Sequence, residues 1–447
     1  MSKQIVLISP CLDYPVIKTR KYSTYNKIWP PLSLAYTAAL LEREGFPVKI
    51  IDANAERLSP EEVVERMGDS EKIFVTTSTL DRWQCPHLNL EPFVKLVEEI
   101  KKKPGVEIYL IGVHGTVKPR EIFEMMKPRA IITGEPELTI LDICRGRKPD
   151  KIRGLAFEKE GKFVMTEKRE NLNINSLPIP AFHLLPMKRY FYEFLGGSFA
   201  LFEGSRSCPF SCTFCLKSMY GPYRKKRPEN LIREVRDAVE NSGVRSAYFI
   251  DLEFTINRDL VEKLCDFLID KNYDFRWCCQ GRLDSVDRKL LDKMKRAGCV
   301  LIHYGVESGS SRIMGMINKK ITLEQVEKGM KLTKEAGIDT ACFFMFGFPS
   351  ETEEEMEKTI KFAKKLNPTY ASFHIAVPYP GTELYEKIPE KRELFPLYYP
   401  EHSHEFLKKM MSRAFKKFYL RLSFIIPNLF RNPRFLWKQF KLFTSYI

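Results

Sequence analysis

The chain predicts an α/β protein: an N-terminal doubly wound parallel-sheet (Rossmann-like) domain, then a partial (βα)6 barrel, then a helical C-terminal tail. Three observations carry that reading. Short apolar runs alternate with amphipathic segments from residue 1 to about 150, and again from 198 to 388. A proline-punctuated stretch separates the two series. Beyond residue 389 the composition turns basic and aromatic. At 447 residues the length suits about three structural units, and 44% hydrophobic content supplies cores for them.

In the first series the strand candidates are Ile5–Ser9, Val48–Asp52, Ile73–Thr77, Ile108–Ile111 and Ile131–Thr133. Helices fit between them near 33–45, 60–67, 91–103, 119–126 and 136–146. Ser59-Pro60-Glu61-Glu62 reads as a helix start, with a cap, a proline at the first helical position and early acid. Ligands of such sheets sit beyond the carboxyl ends of the strands. Residues 151–197 read as a linker. It holds a short hairpin (Gly154 to Val164), then Leu177-Pro-Ile-Pro-Ala-Phe-His-Leu-Leu-Pro186 as an extended link.

The second series places strands at Phe199–Glu203, Ser246–Ile250, Phe275–Cys279, Val300–Gly305, Thr340–Gly347 and Tyr370–Ala376. Helices fit at about 229–241, 258–272, 287–297, 322–336 and 351–366. Two of them carry capping-box signatures, Thr322 with Gln325 and Ser350 with Glu353. Six such repeats predict a barrel open on one side, with its chemistry at the carboxyl ends of the strands.

The tail, residues 389–447, holds much of the charge. From Phe406 to Ile447 there are ten Lys and Arg and no Asp or Glu, so it supplies 10 of the 15 net positive charges. Leu407, Met410, Met411, Ala414, Phe418, Leu422 and Ile425 recur at helical steps, with Lys and Arg on the other face. Pro427 and Pro433 are expected to break this helix before a second aromatic-rich stretch. A basic amphipathic helix either lies on an anionic membrane surface or packs on the open side of the barrel and closes a cavity. Both readings suit a small-molecule or lipid-like apolar substrate. The rest of the chain is only mildly basic and shows no base-stacking module, which argues against nucleic acid as partner. Met1-Ser-Lys-Gln runs directly into strand-like sequence, and no uncharged apolar run reaches membrane-span length. Eleven scattered cysteines suit a reducing cytoplasm.

Three of those cysteines are close together. Cys208, Cys212 and Cys215 form C-x3-C-x2-C in the loop after the first barrel strand. Three thiolates can hold three irons of a cubane cluster and leave the fourth open to a ligand. A structural zinc site would want a fourth ligand, and none lies nearby in sequence.

This motif, with Phe214 before its last cysteine, resembles the signature of radical S-adenosylmethionine (SAM) enzymes. The similarity extends over residues 1–388, to the members that carry an N-terminal cobalamin-binding domain. It rests on Pro30-Pro-Leu-Ser-Leu-Ala-Tyr36, Ser78-Thr-Leu-Asp81, Gly112-Val-His-Gly-Thr116 and Gly134-Glu-Pro-Glu137. In the barrel it rests on Phe249-Ile-Asp-Leu-Glu-Phe-Thr255, Gly281-Arg-Leu-Asp284, Gly305-Val-Glu-Ser-Gly309, Gly347-Phe-Pro-Ser-Glu-Thr352 and Pro378-Tyr-Pro-Gly-Thr382.

The resemblance implies a 4Fe-4S cluster on Cys208, Cys212 and Cys215, with SAM on the open iron. It implies SAM contacts from Phe214, Asp251, Glu253, Gln280, Arg282 and Glu307. Carboxylates suit the ammonium and sulfonium; an Arg fork suits the carboxylate. Arg282 and Asp284 could equally form a structural ion pair. The family's Gly-Gly-Glu is Asp251-Leu-Glu253 here. Cobalamin would meet Ser78, Thr79, Gly112, His114, Thr116, Gly134 and Glu135. The motif Asp-x-His-x-x-Gly of a histidine-ligated cobalt is absent, so His114 is read as a corrin-periphery contact or a packing residue.

The implied reaction is C-methylation: one SAM methylates cob(I)alamin, a second yields the 5′-deoxyadenosyl radical, and the substrate radical takes the methyl of methylcobalamin. A ferredoxin- or flavodoxin-type protein would supply electrons. The rivals are a radical SAM cyclase or carbon–carbon coupling enzyme, and a methylthiotransferase with a second cluster on Cys11, Cys85 and Cys144.

Overall fold

The computed structural model describes residues 4–11, 27–78, 88–389 and 393–431. Its first layer is a sheet whose parallel part contains β1 (Ile5–Ser9), β2 (Val48–Asp52), β3 (Lys72–Thr76), β4 (Glu107–Ile111) and β5 (Ala130–Ile132). The parallel strands lie in the order β2-β1-β3-β4-β5. Ile5 pairs with Val48 on one side of β1, and Val6 with Ile73 on the other. The order reverses at β1, so a crevice opens beyond the carboxyl ends of β1 and β3. All five residues of β1 are buried, as expected of a strand covered on both faces. Helix α1 (Leu32–Arg43) is apolar nearly all round and buried from Leu32 to Leu41. It lies between this sheet and the barrel, with Tyr36 Oη donating to Glu234 at 2.8 Å. Helix α2 (Pro60–Met67) begins with the capping box read from sequence: Ser59 N–H donates to Glu62 at 2.7 Å, and Glu62 N–H to Ser59 Oγ at 3.2 Å.

The hairpin assigned from sequence to the linker belongs structurally to this sheet. Strands β6 (Leu155–Lys159) and β7 (Lys162–Met165) add antiparallel beyond β5. Leu155, Ala156 and Phe157 are buried, and the hairpin covers what would be an open edge.

The second layer is six parallel strands in chain order: β8 (Phe199–Phe202), β9 (Ser246–Phe249), β10 (Arg276–Gly281), β11 (Cys299–Glu307), β12 (Asp339–Phe346) and β13 (Tyr370–Ile375). Five helices lie between them: α7 (Pro228–Asn241), α8 (Arg258–Lys271), α9 (Arg288–Arg296), α11 (Leu323–Glu335) and α12 (Glu353–Leu366), with a short α10 (Ser311–Met316). In the first layer, α3 is Glu91–Lys101, α4 Val113–Val117, α5 Pro119–Met126 and α6 Glu137–Cys144. The Thr322–Gln325 box is present. The second cap falls two residues later than expected: Thr352, not Ser350, caps α12 through Glu355. An N-cap needs extended backbone, which Thr352 has (φ −85°, ψ 159°), whereas Ser350 is left-handed at φ 54°.

The tail forms α13 (His404–Tyr419) and α14 (Leu422–Arg431). Leu407, Met410, Ala414 and Phe418 are buried, and α13 packs against β13 and α12 on the barrel's open side. Its basic face is partly paired: Arg413 and Lys417 bind Glu357 at 2.8 and 2.7 Å. The helix breaks at Leu420, not at the expected Pro427, which lies inside α14. The turn lets Phe424 fold back to 5.5 Å from Phe418 and 5.1 Å from Tyr419. It also removes Leu422 from the apolar stripe, leaving it 71% exposed. Pro433 and the second aromatic stretch lie outside the described residues.

Candidate active site

The cysteine loop leaves β8 and is cinched at its base by a two-residue ribbon, Ser205–Arg206 against Arg224–Lys225. Thr213 N–H donates to Ile317 at 3.1 Å, Leu384 N–H to Thr213 at 2.9 Å, and Asn318 to the Ser211 carbonyl at 2.9 Å. The loop is thus tied to the end of α10 and to the segment after β13. Cys208, Cys212 and Cys215 are half-buried and all face a cavity of about 840 Å³. Burial, then the Glu253 carboxylate, pushes the Cys208 thiol up to about 11. Iron would reverse this, since a coordinating thiol is deprotonated. Among the described residues no three Cys, His, Asp or Glu converge on a single-ion position. A cubane asks for a wider triangle, one thiolate per iron, and one loop with three thiols on a common cavity wall suits it.

Around the thiols, the strand ends supply the polar groups. Glu253, Gln280, Arg282 and Glu307 line the cavity, as does Phe214, whose ring lies 5.7 Å from Phe348. Glu253 has one carboxylate oxygen buried without a hydrogen-bond partner. Burial pushes its carboxyl up to about 7 against the pull of Lys319 and Arg282. The ammonium of SAM would supply the donor that this acceptor lacks. Arg282 takes the structural alternative. Its guanidinium holds Asp284 twice at 2.9 Å, donates to the Lys319 and Lys320 carbonyls at 3.0 Å, and lies 3.9 Å from the Phe210 ring. Asp251 is not on the cavity wall. It accepts from Gly204 N–H at 2.8 Å and Ser205 Oγ at 2.5 Å, and so braces the start of the cysteine loop. Its carboxyl is pushed up to about 7 by burial.

Lys319 escaped the sequence reading. It is buried against the cavity and donates to Glu307 at 2.9 Å. Burial opposes its charge, but Glu307, then Cys212 and Glu253, raise its pKa above the ordinary lysine value. Its only sequence signal was a Lys pair after a short helix. Arg206 escaped as well. Its fully buried guanidinium binds Glu203 at 3.1 Å, Glu135 at 3.0 Å and Glu137 at 2.7 Å.

On the first-layer side, Gly112, Gly134 and Ser78 follow strand carboxyl ends, and Thr116 lies in the short helix α4 that begins directly after Gly112. Gly112 (φ 116°) and Gly134 (φ 77°) hold backbone conformations that side chains resist. Thr116 Oγ1 donates to Gly112 O at 2.9 Å and accepts from Gly134 N–H at 3.0 Å. Ser78 is buried; Thr79 lies outside the described residues. Two of the expected cobalamin contacts do other work. Glu135 is consumed by Arg206, Arg224 and the Leu172 N–H, because a buried carboxylate needs such partners. His114 is fully buried between Phe93 and Phe395, with Nδ1 3.0 Å from Thr77 Oγ1, so it packs. Helix α4 meets the segment after the cysteines in an apolar contact of Val113, Leu216, Met219 and Tyr220. Gly134 and Gly381 pack against this segment, and the Ser218 hydroxyl beside it is buried without a hydrogen-bond partner, a group that an amide of a bound corrinoid would satisfy.

The second-cluster alternative meets a geometric obstacle. Cys11 follows the carboxyl end of β1, whereas Cys144 ends α6 near Lys72, at the amino end of β3. A five-residue strand, about 16 Å long, separates the two levels. Cys85 lies outside the described residues.

Comparison with known proteins agrees with this arrangement. The Radical SAM superfamily model matches residues 202–363, and the B12 binding domain model matches residues 22–143. An uncharacterised methyltransferase of Pyrococcus horikoshii is 31% identical over 92% of this chain and 92% of its own length. The anaerobic magnesium-protoporphyrin IX monomethyl ester cyclase of Rubrivivax gelatinosus is 28% identical over 89% of this chain and 75% of its own. The radical SAM methyltransferase TsrM of Kitasatospora setae, solved with cobalamin and a [4Fe-4S] cluster bound, shares the fold. Its TM-score is 0.69 at 18% identity, over 87% of this chain and 75% of that one. With three thiols on one cavity and a B12-type sheet packed beside them, the chain belongs to the cobalamin-dependent radical SAM methyltransferase family, whose cofactors are a 4Fe-4S cluster, SAM and cobalamin.

Proposed function

We propose that the protein methylates an unactivated carbon of a small apolar molecule. The observation that carries this is the cavity: the three loop thiols line one space together with Glu253, Gln280 and Glu307 from the barrel's strand ends. When bound, the cluster supplies the electron that cleaves SAM to a 5′-deoxyadenosyl radical, and the corrinoid supplies the methyl group. The residues of the chain hold and screen this chemistry. Cys208, Cys212 and Cys215 each take one iron. Glu253 receives the SAM ammonium, and Gln280 and the Lys319–Glu307 pair border its ribose and carboxylate. Phe214 offers a ring to adenine. Arg282 fixes the Lys319–Lys320 backbone that carries the ammonium of Lys319 into the site. Gly112, Thr116, Gly134 and Ser78 border the corrinoid. The apolar walls keep water from a carbon radical.

A one-electron donor of ferredoxin or flavodoxin type fits the need for reduction, and a reducing cytoplasm fits the three free, half-buried thiols. No helix of the described residues is long and apolar enough to cross a membrane. Leu420, Leu422 and Ile426 are exposed beside the basic tail, which supports a peripheral membrane contact there.

The test is Cys212→Ala. In strictly anaerobic protein reconstituted with iron, sulfide and cobalamin, the variant should lose 5′-deoxyadenosine formation. Retained formation would remove the cluster from this loop. The cyclase named among the relatives keeps a second reading open. Label from methyl-labelled SAM in the product supports methylation; deoxyadenosine with unlabelled product supports cyclisation or coupling.

A further inference from the structure

The cations that bear on the Cys208 and Cys212 thiols are Lys217, Lys319 and Arg282. Two of them carry their own counter-charge. Lys319 donates to Glu307 at 2.9 Å, and Arg282 holds Asp284 twice at 2.9 Å. An ion pair acts at a distance as a dipole, whose field falls off faster than that of a single charge. Lys217 forms no ion pair among the described residues. Its ammonium donates instead to backbone carbonyls of the cysteine loop, Cys208 O at 3.5 Å and Phe210 O.

Those carbonyls stand nine and seven residues earlier in the chain, so the side chain closes the loop back on its own start. Carbonyl dipoles hold the ammonium in place without cancelling a unit charge. Lys217 is half-buried, so bulk water screens it only in part. It does not line the cavity that the three cysteines face, so it bears on the loop from off the wall of the SAM space. Of the carboxylates that also act on these thiols, Glu307 is the partner of Lys319, and Glu253 is the acceptor assigned to the SAM ammonium.

Reduction of a cluster held here adds one electron and no proton, so the cluster with its thiolates becomes one unit more negative. Net charge, hydrogen bonds to sulfur and solvent exposure set the potential of such clusters. A fixed cation against the backbone of a ligating cysteine favours the reduced form.

We propose that Lys217 tunes the cluster: its ammonium, clamped to the carbonyls of Cys208 and Phe210, is the uncompensated positive charge that makes the cluster easier to reduce. This rests on Cys208, Cys212 and Cys215 holding the cluster. With Lys217 in place, a weaker one-electron donor suffices.

The test is a redox titration of the anaerobic, reconstituted protein. Electron paramagnetic resonance reads the reduced cluster, and iron and sulfide are measured per chain. At a fixed applied potential, Lys217→Met should lower the ratio of reduced to oxidised cluster by at least about tenfold, which is about 59 mV for one electron. Lys217→Gln, neutral but still able to donate to a loop carbonyl, should fall with it. Lys217→Arg should keep the parent's ratio. Lys289→Met removes the same charge from an exposed position on α9 and should change the ratio by less than about twofold. A parent-like ratio in either neutral variant with its cluster intact would overturn the inference. So would an equal fall in Lys289→Met, which would assign the effect to net charge. Loss of iron from both neutral variants would overturn it as well, because Lys217 would then serve assembly of the loop and not the potential of an assembled cluster. Cys212→Ala reads the cluster assignment separately. If it keeps the parent's iron and spectrum, the loop is not the cluster site. If it loses them while Lys217→Met titrates like the parent, only the role of Lys217 fails.

Discussion

Arg206→Met tests what holds the two layers in register. Methionine keeps much of the side-chain volume and removes the charge. The guanidinium has no exposed surface, and the side chains of Glu203, Glu135 and Glu137 are 1%, 6% and 0% exposed. In the variant Glu135 keeps Arg224 at 2.6 Å, but Glu137 and Glu203 lose their 2.7 and 3.1 Å contacts to this cation. Breaking one side of a buried ion network costs about 3–5 kcal/mol, mostly from the charge left behind. For a cooperative unit of barrel size, 1 kcal/mol shifts Tm by about 2–4 °C, so the expected loss is roughly 6–20 °C. Thermal unfolding followed by circular dichroism, without cofactors, reads it. The double variant Arg206→Met, Glu137→Gln should recover part of the loss by removing one of the three buried negative charges around position 206. A single variant within about 1 °C of the parent would refute the view that this network bears on stability. Because Arg206 lies two residues before Cys208 and two of its partners come from the B12-type layer, the same variant should also lower retained cobalamin.

Three further outcomes follow from the packing. Asp52 is buried, and burial pushes its carboxyl up to about 6 from the usual 3.8. The folded state therefore holds the proton more tightly; this stability is full below about 3.8, falls as pH rises, and is gone above about 6. Asp52→Asn, whose Oδ1 can still cap Ala55 and whose Nδ2 can donate to Tyr190 Oη, should gain relative to the parent between about pH 4 and 6 in urea melts; a pH-independent difference would count against the shift. Thr352→Ala should cost about 1 kcal/mol of stability and Ser350→Ala under about 0.5, the reverse of the capping pattern read from sequence. Leu407→Ala should cost about 2–5 kcal/mol, since the side chain is fully buried, whereas Leu422→Ala should stay within about 0.5. Equal effects would mean that α13 is not docked in solution.

Sequence alone determined the parts of this protein that are local or periodic. Eleven strands lie within two residues of where apolar runs and capping signals placed them, because burial on both faces of a parallel sheet leaves near-continuous apolar stretches. The three grouped thiols were legible because they stand within eight residues of one loop, and the structure puts them on one cavity wall. The place of Glu253, Gln280 and Glu307 on the cavity wall was legible because they fall at or just past barrel strand ends, where a site collects. What sequence could not weigh was competition between partners distant along the chain. Arg282 was available to a ligand until Asp284 and the 319–320 carbonyls claimed it, and Glu135 until Arg206 arrived from 71 residues away. Lys319 carried no motif; only the fold brings it to Glu307. The tail shows the limit most clearly. Its amphipathic pattern was readable, but a stripe of Leu, Met and Phe serves a bilayer or a barrel wall equally. The tertiary structure decided for α13, because the open barrel edge supplied an apolar surface that had to be covered from within the same chain.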